Sequence, residues 1–200
     1  MTGKEHKMNE QLNISDGAVA KITLPDGMAE MGHAEGRYVV QCHEFEGGPL
    51  LWEDEITNTV MTVGKNLALD TILAGSAYTV VGPYMGLISS ASWSAVNAAD
   101  TMTSHAGWLE AGSTNAPTFT ARGTPAWSAA SAGSKSTSSA VSFTMTGAGT
   151  LKGAFMVFGT GAVTTLMSTA GTLLSAGTFS GGDQVVANTN VVTVTYQLSI

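Results

Sequence analysis

The sequence is poor in charged residues, and positive charge is especially scarce. Asp, Glu, Lys and Arg make up only 12% of the 200 residues, with eight Lys and Arg against fifteen Asp and Glu and a formal net charge of −7. Nucleic-acid binding needs a basic face that displaces counterions from phosphates, and no basic cluster is present. We therefore expect neither nucleic acids nor acidic membranes as partners.

Cysteine and long apolar runs are also lacking. The single cysteine, Cys42, excludes an internal disulfide, so the chain does not belong to the disulfide-stabilised secreted class. No stretch approaches the roughly eighteen apolar residues expected of a membrane-spanning helix. The polar start, MTGKEHKMNEQLNISDG, has no apolar core of a secretory signal. The sequence thus predicts folding in a reducing cytoplasm.

Recognisable catalytic and metal-binding motifs are absent as well. The four histidines lack the spacing of a zinc site. On a strand, Cys42, His43 and Glu44 would alternate between opposite faces and could not converge on one ion. Asp100 and His105 are close in sequence, but without a GxSxG motif we interpret Asp100 as a turn cap and His105 as a backbone-bonding side chain. We expect no catalytic residue, no metal and no cofactor.

Glycine is plentiful, and its densest cluster is GAGTLKG, from Gly147 to Gly153. In the GxxxxGK pattern of a phosphate loop, Lys152 stands where glycine is needed and Gly153 stands where lysine is needed. The following AFMVF predicts a strand, which offers no helix N-terminus to hold phosphate. We predict that the cluster is a hairpin connection between two strands.

Short apolar segments separated by turn residues dominate the rest of the chain. RYVVQCHEF (37–45) and LLWEDEI (50–56) flank Gly47-Gly48-Pro49 and predict a hairpin with Trp52 on its buried face. Further strands are predicted at 18–24, 79–88, 141–146, 151–158 (a central strand), 171–179 and 191–198, the last with Val192, Val194, Tyr196 and Leu198 on one face. This pattern predicts an all-β fold, either an antiparallel β-sandwich or a jelly-roll-like barrel.

One short helix is predicted at GKNLALDTIL (64–73), with Leu69, Ile72 and Leu73 on its apolar face and Gly75 as its stop. Charge changes at the same place: twelve acidic and five basic residues precede Ser76, and three of each follow. We therefore predict a flexible N-terminal arm (1–17), an acidic region with the hairpin and the helix (18–75), and the sandwich (76–200).

Three tryptophans allow two interpretations. Trp93, Trp108 and Trp127 are predicted in or beside loops of the sandwich. Exposed indoles there could stack on sugar rings and form a glycan-binding module, whereas buried indoles would close the ends of the core. The sequence leaves both interpretations open.

Four stretches resemble small structural proteins of tailed bacteriophages. They are LLWEDEITNTVMTVGKNLALDTIL (50–73), YMGLISSASWSAVNAADTMTSHAGWLEAG (84–112), PAWSAASAGSKSTSSAVSFTMTGAGTLKGAFMV (125–157) and AGTLLSAGTFSGGDQVVANTNVVTVTYQL (170–198). The first 49 residues match less clearly. The resemblance implies a virion protein made in the bacterial host cytoplasm and supplies no catalytic residues.

This resemblance leads to a specific expectation about partners. We expect a capsid decoration or cement protein that binds the major capsid protein or other virion proteins as a homo-oligomer, with a trimer as the working hypothesis. Leu12, Ile14 and Val19 are the predicted anchors at the arm. The alternatives are a tail component, such as a fibre base or an adaptor, and a glycan-binding module of the tail.

Overall fold

The computed structural model describes residues 34–73 and 81–199, which form ten β-strands and one α-helix. In chain order they are β1 (Glu35–His43), β2 (Leu50–Val60), α1 (Thr62–Leu73), β3 (Tyr84–Ser89), β4 (Leu109–Glu110), β5 (Ser134–Ser136), β6 (Val141–Thr144), β7 (Gly149–Phe158), β8 (Thr172–Thr178), β9 (Gln184–Val186) and β10 (Val191–Ser199). The predicted all-β, sandwich-like fold with a single short helix is confirmed.

Two antiparallel sheets share strand β2. The front sheet has the order β2–β1–β10. Along the far edge of β10, β6 pairs with its first half and β5 pairs with its last residues. The back sheet has the order β4–β3–β7–β8, and β9 pairs with the start of β7. At its end, β2 leaves the front sheet, and Thr59 and Val60 pair with β8. A single strand therefore belongs to both sheets.

The main core lies between the two sheets. β1 and β10 pair without interruption from Glu35–Ser199 to His43–Val191. Alternate residues of both strands point into this core. The buried set from the front sheet is Tyr38, Val40, Cys42, Ile56, Val141, Phe143, Val192, Val194 and Tyr196. Leu198 is partly buried against the same cluster. The predicted apolar face of β10 and the inward position of Trp52 are both confirmed.

A second core lies on the other side of the back sheet. There α1 and the segment between β3 and β4 cover Ile88, Phe155, Val157 and Leu173. β7 is thus buried on both faces along most of its length, with β3 on one side and β8 on the other. This explains why its sequence is almost continuously apolar, and the prediction of a central strand is confirmed.

The glycine cluster at 147–153 is not a hairpin connection, so that prediction was wrong. β6 pairs with β10 in the front sheet, whereas β7 pairs with β3, β8 and β9 in the back sheet. The chain therefore passes from one sheet to the other at residues 145–148, and residues 149–153 of the cluster already form the start of β7. Gly149 is needed there because a Cβ atom would lie 2.5 Å from the backbone nitrogen of Pro117. Alternation along a strand predicts which face is buried and not which strand is its neighbour.

Helix α1 begins two residues earlier than predicted, and the buried and half-buried residues among 62–71 do not include Leu69. Gly64 is buried against β8, where a Cβ atom would lie 2.8 Å from the carbonyl oxygen of Leu174. Leu67 and Ala68 are half-buried on the same side, while Leu69 is 54% exposed. The prediction that Leu69 lies on the buried face of the helix was therefore wrong. Gly64 has no side chain, so its side of the helix is the one that approaches the sheet.

Some predictions lie outside the described residues. These are the arm (1–17), the strand at 18–24, the side chains of Ile72 and Leu73 on the predicted helix face and the stop at Gly75. β1 and β2 lie in the same sandwich as β8 and β10, although the composition changes near residue 75. Within the described part of the chain, no helix combines the length and the apolar character that crossing a membrane requires.

Candidate interaction surface

Four large apolar side chains are exposed at one end of the sandwich. Leu50 and Leu51 are each 51% exposed, Phe45 is 52% exposed and Val185 is 71% exposed. We call these four residues the hairpin-tip patch, because three of them belong to the tip of the β1–β2 hairpin. Scattered exposed apolar residues are normal in soluble proteins, whereas a group of them marks a surface that another molecule can cover.

The geometry of the hairpin brings both leucines to the surface. Cys42 pairs with Trp52 and His43 pairs with Leu50, so Leu51 is an extra residue on β2 at this point. Such a bulge interrupts the alternation of inward and outward side chains. Consequently the two neighbouring leucines are both exposed, and the inward sequence resumes only at Trp52.

The turn between the strands is held by backbone hydrogen bonds. The nitrogen of Glu44 donates to the carbonyl of Pro49 over 3.0 Å, and the nitrogen of Gly48 donates to the carbonyl of Phe45 over 2.9 Å. The ring of Phe45 lies against Gly48, where a Cβ atom would be 2.9 Å from it. The tip is therefore a folded turn that presents the Phe45 ring in a fixed position.

Strand β9 supplies the fourth member of the patch. The indole of Trp52 donates from Nε1 to the carbonyl of Val185 over 3.1 Å and meets the ring of Phe179 edge-on at 5.7 Å. Asn190 donates from its side chain to the carbonyl of Glu44 over 3.1 Å. These bonds fix the chain around β9 next to the hairpin, and the Val185 side chain stays in solvent.

Asp54 holds the turn that precedes β9. Its buried carboxylate accepts hydrogen bonds from the Ser180 hydroxyl at 2.8 Å, the Gly181 nitrogen at 3.1 Å and the Gln184 side chain at 2.7 Å. Burial alone would raise the pKa of Asp54, but these hydrogen bonds favour the ionised form and together lower the pKa below its ordinary value. An ionised Asp54 therefore anchors β9 to β2.

Negative charge surrounds the patch. Glu44, Glu46 and Glu53 are exposed in or beside the hairpin tip. The carboxylate of Glu53 accepts a hydrogen bond of 2.5 Å from Gln41, a neutral side chain. Arg37, on the same hairpin, lies about 20 Å from the turn along β1 and is paired with Glu55. The pKa of Arg37 is raised mainly by its hydrogen bond to Glu55 and further by the charge of Glu53. The surface thus combines an apolar centre with an acidic rim.

Trp108 is placed as a core residue and not as a sugar platform. It is 1% exposed, and its ring is stacked on His105 at 4.0 Å and tilted against Phe155 at 5.2 Å. Its Nε1 donates to the carboxylate of Asp100 over 2.9 Å. The interpretation of Trp108 as an exposed glycan-stacking indole is therefore excluded by its burial.

Asp100 and His105 have the structural roles predicted for them. Asp100 accepts a hydrogen bond from the nitrogen of Asn97, which closes a turn, and His105 is bonded through Nδ1 to the carbonyl of Trp108 over 3.0 Å.

The other two tryptophans lie apart from each other. Trp93 packs on the second core beside Lys152, whereas Trp127 packs on the main core against Tyr196.

The structure also contains polar groups that the sequence did not single out. Glu110 and Arg122 form a buried ion pair with two parallel bonds of 2.8 Å. Arg122 donates further to the carbonyl of Ser168 over 2.7 Å, and Glu110 accepts from the nitrogen of Met167 over 2.8 Å. This pair ties together two loops.

Reactive and metal-binding chemistry is weak in the part of the chain that the structure describes. Burial raises the pKa of the Cys42 thiol to about 11, which disfavours the nucleophilic thiolate. Among residues 34–73 and 81–199, no group of three His, Cys, Asp or Glu side chains is arranged to hold a metal ion.

The hairpin-tip patch was missed at the level of sequence, although one signal points to it. Alternation along LLWEDEI predicts inward positions for alternate residues, and two adjacent leucines cannot both be inward on a strand. The predicted anchors Leu12, Ile14 and Val19 lie outside the described residues and stay predictions.

Comparisons of the chain with protein-family models, with curated proteins and with solved structures give no match.

Proposed function

We propose that the chain is a structural subunit of a phage virion, specifically a capsid decoration protein that binds the major capsid lattice. Its mechanism is the burial of surface against neighbouring subunits. The hairpin-tip patch is the observation that carries this proposal, because it places three exposed apolar side chains at the tip of the β1–β2 hairpin and a fourth beside it on β9. The resemblance of residues 50–198 to phage structural proteins gives the assembly in which such a surface is used.

The front sheet offers a second surface suited to broad contact. Its outer face is polar and rich in uncharged side chains, including Gln41, Thr57, Thr193, Thr195 and Gln197. Two half-open depressions on this face share Arg37 and Gln197. Weak contacts of this kind gain effect when they are repeated over many copies of a symmetrical particle.

The N-terminal arm has a complementary role in this proposal. Residues 1–17 join the particle as an ordered segment when the subunit docks, with Leu12, Ile14 and Val19 as apolar anchors. The subunit acts as a homo-oligomer, with a trimer as the working hypothesis. The role needs no cofactor and no catalytic residue.

The alternative within the same class is a tail component, such as a fibre base or an adaptor. A glycan-binding module of the tail is less well supported, since Trp108 is buried and Trp93 and Trp127 pack on different core clusters. These locations differ in the symmetry and number of their subunits, which can be measured.

The first prediction is the copy number of the chain in purified particles. If the chain decorates the capsid, quantitative mass spectrometry of separated heads and tails finds on the order of hundreds of copies, all in the head fraction. Copies on the order of tens, in multiples of three or six and in the tail fraction, would favour the tail component. Complete absence from both fractions contradicts the proposed function.

A further inference from the structure

The hairpin-tip patch has no partner within the described chain. Phe45, Leu50, Leu51 and Val185 each keep about half or more of their surface in solvent. Their backbones are nevertheless fixed by the bulge, the turn hydrogen bonds and the Trp52–Val185 bond. A rigid apolar surface loses little conformational entropy on binding, so it is well suited to docking as a preformed unit.

The charge around the patch restricts what can cover it. Glu44, Glu46 and Glu53 are exposed there and form no ion pair among residues 34–73 and 81–199. Three described cations are already engaged elsewhere, in the pairs Arg37–Glu55, Arg122–Glu110 and Lys152–Asp183.

The two remaining described cations lie far from the tip. Lys65 is in α1, which follows the opposite end of β2, and Lys135 is in β5, which pairs with the last residues of β10 beside the start of β1. A second copy docked symmetrically on the same patch would therefore bring six carboxylates together without a balancing lysine or arginine from residues 34–73 and 81–199. Like charges facing each other across an interface oppose association.

We propose that the hairpin tip inserts into an apolar depression of a different protein, whose rim carries lysine or arginine side chains. The apolar side chains supply the area that is buried, and the three glutamates supply the pairing that orients the hairpin. This inference rests on the proposed function, since it describes how the subunit would grip its neighbour in the particle. It names the partner by its chemistry: an apolar depression with a basic rim.

The test uses purified full-length chain and purified particles prepared without it, with binding measured by cosedimentation at about 0.05 M and about 0.5 M NaCl. Leu51→Ser is expected to weaken binding about five- to tenfold, because a half-exposed leucine no longer becomes buried. Glu46→Lys is expected to weaken binding about tenfold at the lower salt concentration and less at the higher one.

Matched controls lie at the other end of the molecule. Leu69→Ser changes a leucine with 54% exposure, and Asp70→Lys reverses an exposed charge, both on α1. Both controls are expected to bind as the wild type does. Circular dichroism confirms the fold of every variant, and Leu50→Ser replaces Leu51→Ser if the latter fails to fold.

The possible results separate this inference from the proposed function. If the wild type binds and the tip variants bind as tightly as the controls, the inference is overturned and the proposed function stands. Tighter binding by Glu46→Lys would show an acidic rim on the partner and overturn the inference. Dissociation of a soluble oligomer by Leu51→Ser, measured by sedimentation, would identify a second copy as the occupant and also overturn it. If the wild type neither binds nor occurs in particles, both the inference and the proposed function are overturned.

Discussion

At the scale of single residues, the buried pair of Glu110 and Arg122 is the main electrostatic feature of the fold. Both side chains are almost fully buried and satisfy each other through two parallel hydrogen bonds. The exposed pair of Arg37 and Glu55 has the same chemistry in solvent. Desolvation makes a buried charge costly once its partner is removed, whereas water replaces a lost partner at the surface.

Arg122→Met is therefore expected to lower the free energy of unfolding by about 3–5 kcal/mol, because Glu110 is left buried without a counter-charge. The matched surface change, Arg37→Met, is expected to cost less than about 1 kcal/mol. Urea unfolding followed by tryptophan fluorescence measures both. The prediction is contradicted if the two variants lose similar stability.

A double variant provides a further check on this reasoning. Glu110→Leu combined with Arg122→Met removes both charges and is expected to be more stable than Arg122→Met alone. If the double variant is the less stable of the two, the loss comes from other contacts of these side chains and not from an unpaired charge.

At the scale of elements, the contact between α1 and β8 depends on a glycine. Helix propensity alone favours alanine over glycine by about 1 kcal/mol in a helix interior. At Gly64, however, a Cβ atom would lie 2.8 Å from the carbonyl oxygen and 2.9 Å from the Cα atom of Leu174. Both are backbone atoms of β8, so the helix must move away from the sheet to accept a larger residue.

Gly64→Ala is expected to destabilise the protein by about 1–3 kcal/mol, opposite in sign to its effect on helix propensity. Asn66→Ala, at an exposed position of the same helix, is expected to be neutral or slightly stabilising. Thermal unfolding by circular dichroism distinguishes them. A Gly64→Ala protein at least as stable as the wild type would show that α1 does not pack this closely.

Sequence periodicity predicted the longer strands and the β1–β2 hairpin, but neither the short strands β4, β5 and β9 nor the other strand pairs. The alternation in β10 indicates one buried face, and the continuous apolar run of β7 indicates two. Both strands were therefore predictable from the local sequence. The passage of the chain from one sheet to the other at residues 145–148 was not predictable, because strand pairing depends on contacts that are distant in the sequence. The same holds for the candidate site: Trp52 was predicted to face inward, but the exposure of Leu51 depends on a bulge opposite Cys42 and His43.

At the scale of the whole molecule, the described strands and the helix belong to one compact part of the chain. His33–Ile200 forms one compact unit. Both described core clusters and every described strand pair come from residues after 34. A compact unit that has a hydrophobic core of its own can in principle fold alone.

A chain beginning at His33 is therefore expected to fold, with a free energy of unfolding within about 1 kcal/mol of the full-length value and a single transition. The matched deletion of residues 191–200 removes β10, which pairs with β1, β5 and β6, and is expected to prevent folding. Urea titration measures both. Failure of the chain from His33 to fold would show that the first 32 residues complete the core.

The passage of β2 from the front sheet to the back sheet has a mechanical consequence. The strand begins at the hairpin tip and ends at α1, and it is hydrogen-bonded to β1 along most of its length and to β8 at its end. Tension applied at the tip along the axis of β2 would load the bonds of both sheets at once and in shear, instead of peeling one sheet open bond by bond. A partner bound at the tip would thus pull on both sheets through the single strand β2.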